Sequence, residues 1–409
     1  MKHYIIVFIA MMTFAGCLSD SQRIDRRVEK IHRTIMTVDT HCDTPMRMAR
    51  HFFDLGKRHT DGCIDFVRMK EGGLNAEFFG VFTPQGPRNR ENFDQVNQKA
   101  VAIFDSIHAN IDRNSAIAGL ALSPDDADRL WKEGKIAAFI GVENGYPIGT
   151  DISRIDDYYN RGARYITLCH SFNNDICDSS TDSVAEHNGL SPFGVTVVQE
   201  MNRLGMMVDV SHISDKSFYD VLKVTKAPVI ASHSSCRALC ESPRNFTDDM
   251  LQALKKNGGV IQICILSSYI KHPDPNPEFD SLLTVLKNKW NSMGHELSDD
   301  EKEQRWLEIS QLRDKYEKLA TVEDAVNHIQ HVVDVIGIDY VGIGTDFDGG
   351  GGIEGCRDVS QMKNITRELV RRGFSNEDIA KIWGGNAMRV FREAEAVAKK
   401  IQQQKTDAI

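Results

Sequence analysis

Several features are absent from this sequence of 409 residues, and each absence narrows what the chain does. Its nine cysteines include no CxxC pair, which excludes a thiolate zinc ribbon. No strongly basic run occurs and the net charge is −9, so nucleic acid is not an expected partner. No apolar stretch reaches the ~20 residues that a membrane-spanning helix needs. Neither an internal repeat nor a low-complexity linker is present, so one domain is expected. Hydrophobic residues make up 41% and charged residues 26%, the balance of an ordinary soluble domain with ample core.

The N-terminus departs from that balance. "MKHYIIVFIAMMTFAGC" has a basic start and a short apolar run from Tyr4 to Ala15, the pattern of a secretory signal. Its end, "TFAGC", resembles a bacterial lipobox, in which Cys17 becomes the lipidated first residue. The expectation is therefore an exported, cell-envelope protein anchored to a membrane through Cys17, with residues 1–16 removed and 17–34 as a lead-in. Cys169 and Cys264 lie inside apolar strand candidates and read as buried free thiols.

Beyond the leader, β-rich apolar runs alternate with helical patterns. Eight strands are predicted, at 35–41, 75–84, 135–144, 163–171, 205–212, 227–234, 258–266 and 339–347. Most are apolar throughout, as parallel strands covered on both faces should be. Helices are signalled between them by Ser123-Pro124, Ser191-Pro192, Thr247, Thr321 with Asp324, and Ser375, each placed as an N-cap. This alternation predicts an α/β fold, a (β/α)8 TIM-type barrel, over residues 35–395. A helical insertion is expected at about 267–339, before the last strand, and a C-terminal tail at 396–409. His328 and His331 share a helical face and read as surface residues.

Chemistry in a barrel sits at the C-terminal ends of its strands. There the sequence places His41 and Asp43 (first strand), Glu143 (third), His170 (fourth), His212 (fifth), His233 (sixth) and Asp346 (eighth). Singly, each is adequately explained as a turn or structural residue. Together, four imidazoles and three carboxylates on one rim would leave much buried polarity unpaired. Metal ions resolve this, and imidazole nitrogen with carboxylate oxygen suits zinc. The ligands exceed one tetrahedral site, so two ions are expected, with Glu143 as the candidate bridge because it offers one oxygen to each. Cys42, between His41 and Asp43, points the other way along the strand.

The ordered set "THCD", "GVENG", "LCHS", "VDVSH", "ASHSS" followed by "SPRNF", and "GTDFDGG" resembles the membrane (renal) dipeptidase family of binuclear zinc hydrolases, over most of the mature chain. The resemblance implies that His41 and Asp43 hold one zinc, His212 and His233 the other, and that Glu143 bridges them. It implies that His170 contacts the scissile centre, that Arg244 binds the substrate carboxylate, and that Asp346 is the general acid/base. It further implies a homodimer, and hydrolysis of dipeptides by a hydroxide held between two zinc ions. The alternatives are another metal-dependent amide or lactam hydrolase on the same barrel, a catalytically silent binding protein, and a phosphate-binding barrel using "DGGGGIEG". The last lacks the strand–Gly-loop–Lys arrangement.

Overall fold

In a computed structural model, described for residues 19–50, 52–295 and 297–407, all eight expected strands are present and parallel. The expected leader and Cys17 lie outside the described residues. The strands are β1 (Val38–Cys42), β2 (Ala76–Phe82), β3 (Ala118–Leu120), β4 (Ile136–Glu143), β5 (Ala163–Thr167), β6 (Met207–Asp209), β7 (Ile230–Ser234), β8 (Val260–Ile263) and β9 (Val341–Ile343). The barrel order is β1-β2-β4-β5-β6-β7-β8-β9. The unexpected ninth strand, β3, pairs with the first residues of β4 before β5 takes over that edge. At three residues it is too short to carry a periodicity. Closure comes just beyond β9, where the Asp346 amide donates to the His41 carbonyl (3.0 Å) and the Asp43 amide to the Phe347 carbonyl (2.8 Å).

Side chains alternate between two layers, as the pleat requires. Inside the barrel lie Val38, Ala76, Phe78, Phe139, Tyr165, Met207, Ile230 and Val260, joined by Ala387, Val390 and Phe391 of the last helix. The outer layer, including Phe79, Val81, Ile140, Val142, Ile166 and Ile261, packs under the surrounding helices. The helix starts follow the sequence: Ser123, Ser191, Thr247, Thr321 and Ser375 each accept from a backbone amide in the first turn.

Two boundaries differ from expectation, and the lead-in gains a structure that its sequence left open. The lead-in is itself a helix, Asp20–Thr34, which buries Val28, Ile31 and His32. The last helix runs unbroken from Asn386 to Asp407, across the expected tail boundary, with Ala398 buried. The insertion is shorter than predicted. Ser267–Ile270, Pro277–Asn291 and Asp299–Tyr316 form the excursion, whereas Val322–Ile336 buries Ala325, Val326, Ile329, Val332 and Ile336 as a regular barrel helix. The same helix corrects the surface reading of His328. That ring is buried, accepting from the Cys236 amide (3.0 Å) and donating to the Ile270 carbonyl (2.8 Å).

One close approach links packing to the strand ends. A β-carbon on Gly141 would lie 2.0 Å from the Tyr165 ring, so only glycine lets that ring cross β4 and reach β1. Gly141→Ala is expected to cost about 1–3 kcal/mol through overpacking, measured as a lower denaturant midpoint; an unchanged midpoint would show that the ring is not held there.

Candidate metal centre

All seven polar residues expected at the strand ends converge on one rim. His41 and Asp43 close β1, Glu143 ends β4, and His233 lies in β7. His170, His212 and Asp346 follow β5, β6 and β9. His41, Glu143 and His233 are essentially inaccessible, Asp43, His212 and Asp346 nearly so, while the His170 side chain keeps 28% exposure and faces the cleft. The turns that aim them are strained. Asn144, His212, Asp346 and Asp348 all have positive φ (73°, 69°, 61° and 66°), a conformation that non-glycine residues adopt at a cost and that concentrates at functional sites.

Glu143 sits in the middle. Its Oε2 is 3.6 Å from His41 Nε2, which is itself 3.8 Å from Asp43 Oδ1. Its Oε1 is 3.0 Å from His212 Nε2 and 3.3 Å from His233 Nε2, and those two nitrogens are 2.8 Å apart. The donors thus fall into two groups, His41–Asp43–Glu143 and Glu143–His212–His233. Asp346 borders both, with Oδ1 4.0 Å from His41 Nε2 and a place beside His41 and His233. His41 Nε2, Asp43 Oδ1 and Glu143 Oε2 are buried without a hydrogen-bond partner among the described residues, so the donor set fits metal ions.

The neighbours hold the imidazoles ready as ligands. The Tyr165 hydroxyl donates to the Thr40 carbonyl (3.1 Å) and accepts from His41 Nδ1 (2.8 Å), which turns His41 Nε2 toward the centre. The Ser232 hydroxyl donates to Asp209 (2.6 Å) and accepts from His233 Nδ1 (2.8 Å), with the same result. Asp209 is fixed in turn by the amides of Ser211 (3.0 Å) and Ser232 (2.9 Å). On the far side Asp39 takes the Thr345 amide (2.8 Å) and hydroxyl (2.6 Å), which positions the turn carrying Asp346. Such partners fix ring orientation and ligand basicity. Sequence reasoning missed Tyr165, Asp209, Ser232, Asp39 and Thr345. For Tyr165, Asp209 and Ser232 the available signal is a polar group at a lumen-facing position of an otherwise apolar strand; Asp39 and Thr345 carry no such signal.

The charges follow from burial and crowding. Burial lowers His212 well below its ordinary value and His233 to about 4, with Arg244 and His41 respectively adding to the effect, so both rings stay neutral. Burial also lowers His170. Glu143 is held well below the carboxylate range: burial opposes ionisation, but His41, His170 and hydrogen bonds from His212 and His233 prevail. Burial and the neighbouring Glu143 push Asp43 up to about 6, and burial with Asp43 raises Asp346 well above the usual range.

Arg244 reaches the same cleft from the loop after β7. It is buried, its Nη2 donates to the His233 carbonyl (3.3 Å), and its guanidinium lies 5.4 Å from the centre of the Tyr269 ring. Its Nε and Nη1 are buried without a hydrogen-bond partner among the described residues. A buried cation with free donors is costly unless an anion completes it.

Comparison with known proteins bears on this centre. The family model for membrane dipeptidase (peptidase family M19) matches residues 25–405. The dipeptidase tcpJ of Claviceps purpurea is 34% identical over 373 residues, covering 88% of this chain and 77% of the relative. Among solved structures, the probable dipeptidase PvdM from Pseudomonas aeruginosa superposes with a TM-score of 0.79 at 30% identity, covering 92% of this chain and 99% of that one. A Rhodobacter sphaeroides metallopeptidase, liganded with a phosphinate mimic of L-Ala-D-Ala, shares the fold at a TM-score of 0.72 and 21% identity, covering 88% and 99%.

Tyr165→Phe removes the hydroxyl that orients His41. Its expected effect is a roughly 10- to 100-fold loss of metal affinity, read by chelator competition, with little change in thermal midpoint. Unchanged affinity would show that the hydroxyl does not set the ligand.

Proposed function

The chain belongs to the membrane dipeptidase family, peptidase family M19, and is a metal-dependent dipeptidase; on that premise we propose that it works with two zinc ions. His41 and Asp43 would hold one ion, His212 and His233 the other, and Glu143 both. The observation that carries this reading is that the two Glu143 oxygens face separate donor groups. Imidazole and carboxylate donors suit zinc, and three protein ligands for each ion leave positions open for water and substrate.

When bound, such ions acidify water and polarise the scissile carbonyl. The protein's own residues do the rest. Ser171 Oγ lies 2.9 Å from His170 Nδ1; with the hydroxyl donating there, Nε2–H faces the cleft and stabilises the charge developing on the carbonyl oxygen. Asp346, raised by burial and by Asp43, takes the proton from the attacking water and passes it to the leaving amine. Arg244 receives the free carboxylate on its unpaired nitrogens as a charge-assisted pair. That contact favours dipeptides, whose carboxylate lies one residue from the scissile bond.

Export, lipid attachment at Cys17 and residence at the cell envelope belong to the same proposal and rest on the N-terminal sequence alone. Among the described residues no helix is long and apolar enough to cross a membrane. Assembly as a homodimer rests on the family resemblance.

Chelation is expected to abolish dipeptide hydrolysis and added zinc to restore it; hydrolysis that survives complete metal removal would contradict the reading. Arg244→Ala should raise KM for dipeptides by about 10- to 100-fold, the loss of a charge-assisted hydrogen bond. Asp346→Asn should lower kcat by about 10²- to 10⁴-fold with the metal content retained, and full turnover in that variant would remove the acid/base role.

A further inference from the structure

The glycine run Gly349–Gly352 and the helical excursion take no part in the chemistry above, yet they meet across one cavity. Its volume is about 430 Å³, the size of a small-ligand site. The glycine run lines one side, Ser267 and Ser268 after β8 another, and Arg313, Glu317 and Lys318 of the excursion a third. The cavity adjoins the reaction centre on two flanks. A β-carbon on Gly349 would lie 2.1 Å from Asp43 Oδ2 and 2.3 Å from Asp346 Oδ1, so a single glycine separates the cavity from the metal donors. On the other flank, Ser268 precedes Tyr269, whose ring lies against Arg244.

The charge of the lining is unbalanced. Four cations, Arg47, Arg313, Lys318 and Arg357, face two carboxylates, Glu317 and Asp348. Asp348 is committed to its own surroundings, accepting from the Thr44 hydroxyl (2.6 Å) and the Cys63 amide (2.9 Å). Arg47 pairs with Asp61 and Arg357 with Glu354, each at 2.9 Å. The two cations of the excursion are less engaged. Arg313 is 3.8 Å from Glu317, beyond hydrogen-bond distance, and Lys318 has no ion pair among the described residues.

We propose that this cavity is a specificity subsite for an acidic side chain on the substrate's C-terminal residue, whose carboxylate meets Arg313 and Lys318. The proposal rests on the dipeptidase reading and on Arg244 as the holder of the main-chain carboxylate. A residue anchored at Arg244 stands beside Tyr269 and Ser268, at the cavity's edge, with its side chain free to enter. The excursion thereby contributes to substrate recognition, because it carries the two cations that meet the side-chain carboxylate.

The test compares kcat/KM for dipeptides with one common first residue and Glu or Gln, each as L and D, in second place. The metal-loaded full chain is set against an Arg313→Ala/Lys318→Ala variant. The Arg313 side chain is 56% exposed and Lys318 is exposed, so the fold should survive, and an equal unfolding midpoint checks this. The expected result is a preference for Glu over Gln of about tenfold or more, falling to near one in the variant while the Gln substrate is cleaved as before. Equal rates for Glu and Gln, a preference that survives in the variant, or an acidic preference confined to the first residue would each overturn the subsite and leave the dipeptidase reading standing. Stimulation of Gln-dipeptide cleavage by free glutarate, without a Glu preference, would assign the cavity to an effector and overturn the subsite as well. Failure to cleave any dipeptide would overturn the dipeptidase reading, and the subsite with it.

Discussion

The structure depends on one buried carboxylate. Glu143 ends the longest strand of the barrel with both oxygens out of water, and four imidazoles lie around it. A carboxylate in that position is tolerable only if cations meet it on both sides. Nearly everything else at the rim follows from this requirement. His41 approaches one oxygen and His170, His212 and His233 the other, further carboxylates crowd in from β1 and β9, and burial with that crowding raises Asp43 and Asp346. The same concentration of negative charge that would destabilise a metal-free core is what makes the site a strong one for divalent ions.

The barrel supplies rigidity where it is needed. His41 and His233 are aimed by hydrogen bonds from their far nitrogens, to Tyr165 of β5 across the barrel lumen and to Ser232, the preceding residue of β7. Tyr165 reaches β1 only because Gly141 has no side chain, and Gly349 leaves room for Asp43 and Asp346 in the same way. His212 and Asp346 are held in left-handed conformations at the point where their strands end. Packing in the core and geometry at the rim are thus one problem: a change in the interior at Gly141 is felt at His41 through Tyr165.

Much of this is legible from sequence because each candidate ligand ends an apolar run. "TVDTHCD", "GVENG", "VDVSH" and "GTDFDGG" mark the rim by the abrupt turn from buried strand to polar loop. The supporting residues were not legible in this way. Tyr165 lies within an apolar strand and looks like any core aromatic, and the link from Ser232 to Asp209 exists only because β6 and β7 are neighbours. Long-range pairing of this kind leaves no local pattern. A helical face shows which residues align but not what covers them, so His328 reads as a surface residue although it is buried. The excursion was overextended because Val322–Ile336 differs from the charged helices before it only by its apolar stripe. The expected C-terminal tail instead continues the last helix, which Ala398 keeps packed.

The central claim is that Glu143 is shared between two ions. Anomalous scattering at the zinc edge from crystals of the zinc-loaded protein tests it most directly. Two peaks about 3.5–4 Å apart are expected, one beside His41 and Asp43 and the other beside His212 and His233, with one Glu143 oxygen on each. A single peak, or two peaks of which Glu143 touches only one, would contradict it.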